Sequence, residues 1–309
     1  MTRIAVIAAM PGELLHLARG WKHEKRDWGV HLWRTTQGDA EWVAACAGAG
    51  QTAAMRAFSE VEKGGSVTSV LSTGWVGALA AEFVPGRAYA VAGVIDAKTG
   101  ERFEAGESVL ANGGLPPEHT SWRAQSGGRD GAEAKKKSVS SGRSGEEDPS
   151  GAKARVDYAR LSGKAEAVPF QGTSAAILQS GSDTEAKRPR PWVVTSPKVA
   201  GVKEKARLAA AYTAGLVDME AAAVARLAAM RRIPFYCIKG VSDGHAARLP
   251  DFNRFLTPEG QFQLARFIFF AILRPWYWPE LMRMSENSSK ASQALRDSLL
   301  ENLRRTGAN

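Results

Sequence analysis

The stretch "LVDMEAAAVARLA", residues 216–228, passes from an apolar run into a series of small apolar residues through two acids, Asp218 and Glu220, either side of Met219. An apolar run that stops at polar residues and resumes as an alanine-rich segment reads as a strand feeding a buried helix. A charge left at such a junction needs a partner or a task, because an unpaired ion out of water is expensive. Asp218 is placed to cap the helix, and Glu220 stands in its first turn, where the macrodipole favours an anion. Two other carboxylates occupy the same kind of position. Glu13 follows "IAVIAAMPG" and Asp243 follows "CIKGVS". Singly, each has an ordinary explanation, a first-turn acid for Glu13 and an Asx-type turn before Gly244 for Asp243. Together they suggest a site: parallel strands of one sheet would carry all three to one edge, where open α/β sheets place their ligands.

The rest of the chain keeps the same rhythm. "RIAVIAA" (3–9), "EWVAACAG" (41–48), "SVTSVLSTG" (66–74) and "RAYAVAGVID" (87–96) are strand-like, and "QTAAMRAFSEVEK" (51–63) sets Ala54, Met55, Phe58 and Val61 at helical spacing. After "PWVVTS" (191–196) and the helical "VKEKARLAAAYT" (202–213), "IPFYCIKGVSDG" (233–244) ends a buried strand in a polar turn. The expectation is an α/β fold whose sheet is covered by helices. Between about 112 and 190 the pattern stops. That segment is rich in Gly, Ser, Lys and Glu and reads as a flexible low-complexity insertion in one catalytic domain spanning 1–273. Residues 274–309 read as a C-terminal helical extension with Leu295, Leu299 and Leu303 on one face.

Composition narrows the function. The 309 residues are 44% apolar and carry a formal charge of +9, with a pI near 9.7. The excess charge is spread along the chain without zinc-finger spacing, an RNP-like aromatic motif or a dense basic helix, so no nucleic-acid partner is expected. Cys46 and Cys237 lie in apolar runs and read as buried thiols of a reducing compartment. The apolar tract "FQLARFIFFAIL" (262–273) is broken by Arg266 and too short to span a bilayer, and the N-terminus lacks a signal-peptide pattern. A cytoplasmic protein is expected. "AGAGQTAA" (47–54) lacks the third glycine of a dinucleotide fingerprint, and the histidines have no ligand spacing, so neither a cofactor nor a metal is expected.

Taken in order, "IAVIAAMPGE", "AGAGQTAA", "STGWVGAL" (72–79), "LVDMEAAAVA" and "IKGVSDG" resemble the signatures of the nucleoside phosphorylase and nucleosidase superfamily, the methylthioadenosine/S-adenosylhomocysteine nucleosidases in particular. The resemblance covers 1 to about 110 and 191 to 273. It implies a three-layer α/β fold with a central mixed, mostly parallel sheet, and an oligomer that takes a small-molecule purine nucleoside. It also implies roles. Asp243, held by Ser242, would protonate the leaving base, Glu220 would bind ribose hydroxyls with Met219 against the sugar, and Glu13 would activate water. The turn containing Gly74, Trp75 and Gly77 would lie near the sugar. Ser72 stands where phosphorylases of the family carry a phosphate-binding arginine, which favours hydrolysis, with phosphate a co-substrate only in the phosphorolytic alternative. Lys239 or an arginine of the insertion is the remaining source of an anion site. Pro197 replaces the aromatic residue that nucleosidases set against adenine, leaving Phe170 or Phe103 for stacking. A non-catalytic nucleoside-binding relative is a further alternative.

The tail "LPDFNRFLTPEGQFQLARFIFFAILRPWYWPELMRM" (249–284) resembles that of hopanoid-associated phosphorylases, which implies an adenosylhopane-type lipid nucleoside as an alternative substrate. Trp276, Tyr277 and Trp278 between Arg274 and Arg283 would suit peripheral contact with a membrane.

Overall fold

A computed structural model describes residues 2–107 and 190–305. The insertion expected at about 112–190, Arg190 apart, lies outside the described residues, as does Phe170.

The chain opens with β1 (Thr2–Ala8) and the single turn α1 (Pro11–Leu14), followed by β2 (Lys22–Lys25), β3 (His31–Gln37), β4 (Ala40–Cys46) and α2 (Gln51–Glu62). The short strands β5 (Ser69–Ser72), β6 (Trp75–Ala78), β7 (Ala88–Ala90), β8 (Gly93–Asp96) and β9 (Arg102–Glu104) complete the first half. The second half contains β10 (Trp192–Thr195), α3 (Val202–Tyr212), β11 (Leu216–Asp218), α4 (Ala221–Arg231), β12 (Phe235–Asp243), α5 (Leu264–Ile272) and α6 (Trp278–Arg305).

The strands form one mixed sheet in the order β2-β3-β4-β1-β5-β12-β6-β11-β10-β8-β9, with β7 added on β12. Its centre, β4-β1-β5-β12-β6, is parallel throughout. Both faces of that centre are covered, which is why β1 is apolar without alternation. Ala5 and Ile7 pack with Phe58 and Val61 of α2 and with Ala222, Ala225 and Ala228 of α4. Ile4, Val6 and Ala8 point the other way, toward Leu14 of α1 and Leu295 and Leu299 of α6. The result is the three-layer, mostly parallel α/β arrangement expected from the sequence.

Two expectations change. β11 pairs antiparallel with β6, so parallel strands alone do not gather the three carboxylates; β6 does, as the strand shared by β12 and β11. Phe103 is 8% exposed, sits in the main core and carries the Arg226 guanidinium over its ring, so it is committed to packing and not free to stack on a base. The helix after residue 274 is part of the packed body: Ala291, Leu295 and Leu299 are buried, and a Cβ on Gly240 of β12 would stand 2.9 Å from the Ala291 methyl.

Candidate active site

Strand β6 and the turn before it organise the site. At its start, Trp75 N–H donates to Glu13 Oε1 at 2.9 Å, while Ala9 and Met10 N–H donate to Glu13 Oε2 at 2.7 and 3.0 Å. Pro11 starts a helix of one turn, and Glu13 folds back onto the chain leaving β1 as the third residue of that turn. Gly74 makes the approach possible. Its φ is +123°, and a Cβ there would lie 2.8 Å from Glu13 Oε2. Burial raises the Glu13 pKa above the usual carboxylate range, although the three N–H groups and the Lys239 charge pull against it.

The Trp75 ring turns away from this carboxylate. Its Nε1–H donates to Ser292 Oγ of α6 at 2.9 Å, and its ring edge lies 2.9 Å from where a Gly12 Cβ would be. The C-terminal helix therefore braces the turn that holds Glu13.

Asp218 and Glu220 separate in role. Asp218 Oδ2 accepts from Ala221 N–H at 2.9 Å, and Oδ1 accepts from Thr195 Oγ1 at 2.7 Å. Thr195 Oγ1 in turn accepts from Ala222 N–H at 3.0 Å. These bonds tie the first turn of α4 to the end of β10, and Lys239 Nζ completes the cluster 2.9 Å from Asp218 Oδ2. Lys239 also donates to the Thr73 carbonyl at 3.2 Å. Burial alone would lower its pKa, but Asp218, with Cys237 and Glu220, holds the ammonium well above the ordinary lysine value. Its charge is thus committed inside the fold.

Glu220 has no ion-pair partner among the described residues. Its Oε1 accepts from Gly50 N–H at 2.7 Å, in the glycine turn "AGAGQTAA", and its Oε2 accepts from Met219 N–H at 3.2 Å. Burial, reinforced by the neighbouring Asp218 charge, pushes the Glu220 pKa up to about 8. This carboxyl can bind a sugar hydroxyl without holding a full buried charge.

Two residues along β6 from Trp75, about 7 Å at strand rise, Gly77 is in register with Asp243 on one side and Val217 on the other. The β12–β6 register shifts between Val241 and Asp243, a bulge of the kind that re-aims side chains near sites. Ser242 Oγ lies 2.7 Å from Asp243 Oδ1 and 3.2 Å from the Val76 carbonyl, with one proton to donate. Lys205 of α3 forms a buried ion pair with Asp243 Oδ2 and donates to the Gly244 carbonyl at 2.8 Å. Only glycine leaves room for it, since a Cβ on Gly77 would lie 2.9 Å from Lys205 Cε and 3.3 Å from Asp243 Oδ2.

The sequence reading missed Lys205, Thr195 and Ser292. Lys205 had a signal: it stands three residues before Leu208 on the inward face of α3, where an unpaired lysine is out of place. Ser292 sits in the buried stripe of α6 with Ala291 and Leu295. Pro197 is exposed at the end of β10.

Residues 3–274 match the sequence profile of the phosphorylase superfamily. Compared with curated proteins, the chain has no significant match. Among solved structures it is similar in fold to futalosine hydrolase of Helicobacter pylori, at 12% identity and a TM-score of 0.54 over 98% of both chains. It is similar to 5′-methylthioadenosine nucleosidase of Arabidopsis thaliana at 14% identity and a TM-score of 0.54, over 100% of this chain and 97% of that one. The 5′-methylthioadenosine/S-adenosylhomocysteine nucleosidase of S. pneumoniae, bound to a transition-state inhibitor, gives 15% and 0.52 over 96% and 98%.

Proposed function

Since the chain belongs to the phosphorylase superfamily, we propose that it hydrolyses the N-glycosidic bond of an adenosine-type purine nucleoside and releases the base. The observation that carries this reading is the arrangement of three carboxylates, Glu13, Glu220 and Asp243, around one short strand, each in a different electrostatic setting. Cleavage of such a bond leaves a sugar with oxocarbenium character, which nearby carboxyl groups stabilise, and a base that leaves more readily once protonated.

In this proposal the carbon–nitrogen bond breaks with its electron pair going to the base. Asp243, held by Ser242 and paired with Lys205, passes a proton to the base as charge develops there. A water held by Glu13 attacks the anomeric carbon and gives its proton to that carboxylate. Glu220 accepts hydrogen bonds from the ribose hydroxyls, with Met219 beside the sugar. Thr73 Oγ1, which is buried next to Gly74 and has no hydrogen-bond partner among the described residues, is a further group for a ligand hydroxyl.

Hydrolysis is preferred to phosphorolysis because Ser72 is a buried strand residue and Lys239 is already neutralised by Asp218. Phosphate would be needed only for the phosphorolytic alternative. The second reading, an adenosylhopane-type lipid nucleoside, is favoured by one observation: the apolar helix α5 follows directly on a segment that rests on the Gly50 turn. Incubation with methylthioadenosine, adenosine and a lipid-linked adenosine, each with and without phosphate, tests both. Free base without phosphate is expected. Ribose 1-phosphate would convert the reading to phosphorolysis, and no base from any substrate would refute it.

A further inference from the structure

Helix α5 is apolar, yet none of its nine residues is buried. Phe267 and Phe270 anchor it, with ring centroids 5.4 and 5.1 Å from that of Phe255. The opposite side is open to solvent. Leu264, Ile268, Phe269, Ile272 and Leu273 form an exposed stripe that continues into Trp276, and Phe269 and Trp276 are 67% and 68% exposed. A contiguous apolar face of this kind marks a contact surface.

Its charge identifies the partner. Residues 260–279 contain Arg266 and Arg274 and no Asp or Glu. Among the described residues neither arginine has a carboxylate within ion-pair distance. Arg266 donates to Gln263 at 3.2 Å, and Arg274 lies over the Phe270 ring at 4.2 Å. Twofold contact with a second copy would press this patch against itself and bring like charges together. A bilayer with anionic headgroups matches both features, taking the apolar stripe below the headgroups, the tryptophans at their depth and the arginines on their phosphates. At about 13 Å, α5 cannot cross a hydrocarbon core of about 30 Å, and none of the described helices is long and apolar enough to do so.

We propose that the face formed by α5 and the turn after it docks the protein on an anionic lipid surface, with the helix lying along the interface. The face is rooted near the candidate site: Gly260 O accepts from Ala49 N–H at 2.8 Å, and Gln261 Nε2 donates to the Ala47 carbonyl at 2.7 Å. The proposal does not rest on the reaction assigned above.

Flotation of the full chain with vesicles of phosphatidylcholine, alone or mixed with phosphatidylglycerol, tests it. Binding to the mixed vesicles is expected, weakening with salt. Phe269→Asp with Ile272→Asp should abolish it while leaving the far-UV spectrum and Tm unchanged, because both side chains are exposed. Arg266→Gln should weaken it roughly fivefold. Failure to float with either vesicle, or unchanged flotation of the double variant, would overturn the proposal. So would a solution dimer that Phe269→Asp dissociates without any vesicle binding, which would assign the face to a second copy.

Discussion

Lys239 Nζ lies 2.9 Å from Asp218 Oδ2, and the two side chains are 1% and 0% exposed. A pair this deep is held by mutual dependence, since either charge alone would be stranded in a low dielectric. Asp218→Asn should therefore destabilise the protein by about 3–5 kcal/mol, with Lys239→Met in the same chain restoring part of the loss. Urea denaturation of the parent and the two variants measures this. An Asp218→Asn protein as stable as the parent would mean that Thr195 and the α4 amides, not the lysine, carry the role of Asp218.

Asp243→Asn should reduce base release by at least about a hundredfold, the scale of general acid catalysis, and should also lower Tm, because it leaves the buried Lys205 ammonium without its counter-ion. Lys205→Met removes the cation paired with Asp243 and should lower kcat more than KM. A kcat equal to that of the parent would reduce Lys205 to a packing residue.

The Glu220 carboxyl, raised from 4.5 to about 8, binds more protons folded than unfolded between those values. Its contribution is fully present below pH 4.5 and is lost as pH rises through 8, with a slope on the order of 1 kcal/mol per pH unit. Stability relative to Glu220→Gln should fall across that window in the unliganded protein. Parallel Tm curves for parent and variant would show that Glu220 is already ionised when folded.

Gly74→Ala forces a side chain onto a φ of +123° and into the Glu13 carboxylate. A stability loss of about 1–3 kcal/mol is expected, together with a loss of turnover because Glu13 must move. Turnover equal to that of the parent would remove Glu13 from the mechanism.

Ser292→Ala leaves the Trp75 Nε1–H without its acceptor and should cost about 1 kcal/mol. Because the Trp75 backbone N–H also holds Glu13, turnover should fall several-fold while KM changes little. If thermal denaturation and base release are both unaffected, α6 does not brace the turn.

How far the site could be read from residues alone depended on distance along the chain. Glu13, Glu220 and Asp243 were legible as strand-end acids because each follows an apolar strand within a few residues. Asp218 was expected at the N-cap of α4; Glu220 occupies that position, but the Asp218 carboxylate two residues earlier still accepts from the Ala221 N–H. Lys205 was marked only by its place on the inward face of α3; its partner is 38 positions away, and nothing near it in sequence says which carboxylate it meets. Ser292 and Trp75 are 217 positions apart. Phe103 was misread because an aromatic residue in a short strand looks the same whether it faces a ligand or the core.

The sequence by itself determined the layered α/β architecture and the strand-end positions of the three acids, because periodicity and strand ends are local properties of a chain. Only the tertiary structure decided which acids remain without a cation: Asp218 is neutralised by Lys239 and Asp243 is paired with Lys205, while Glu220 is left with backbone amides alone. The physical reason is that a buried charge is governed by what surrounds it in space, and here the cations come from β12 for Asp218 and from α3 for Asp243.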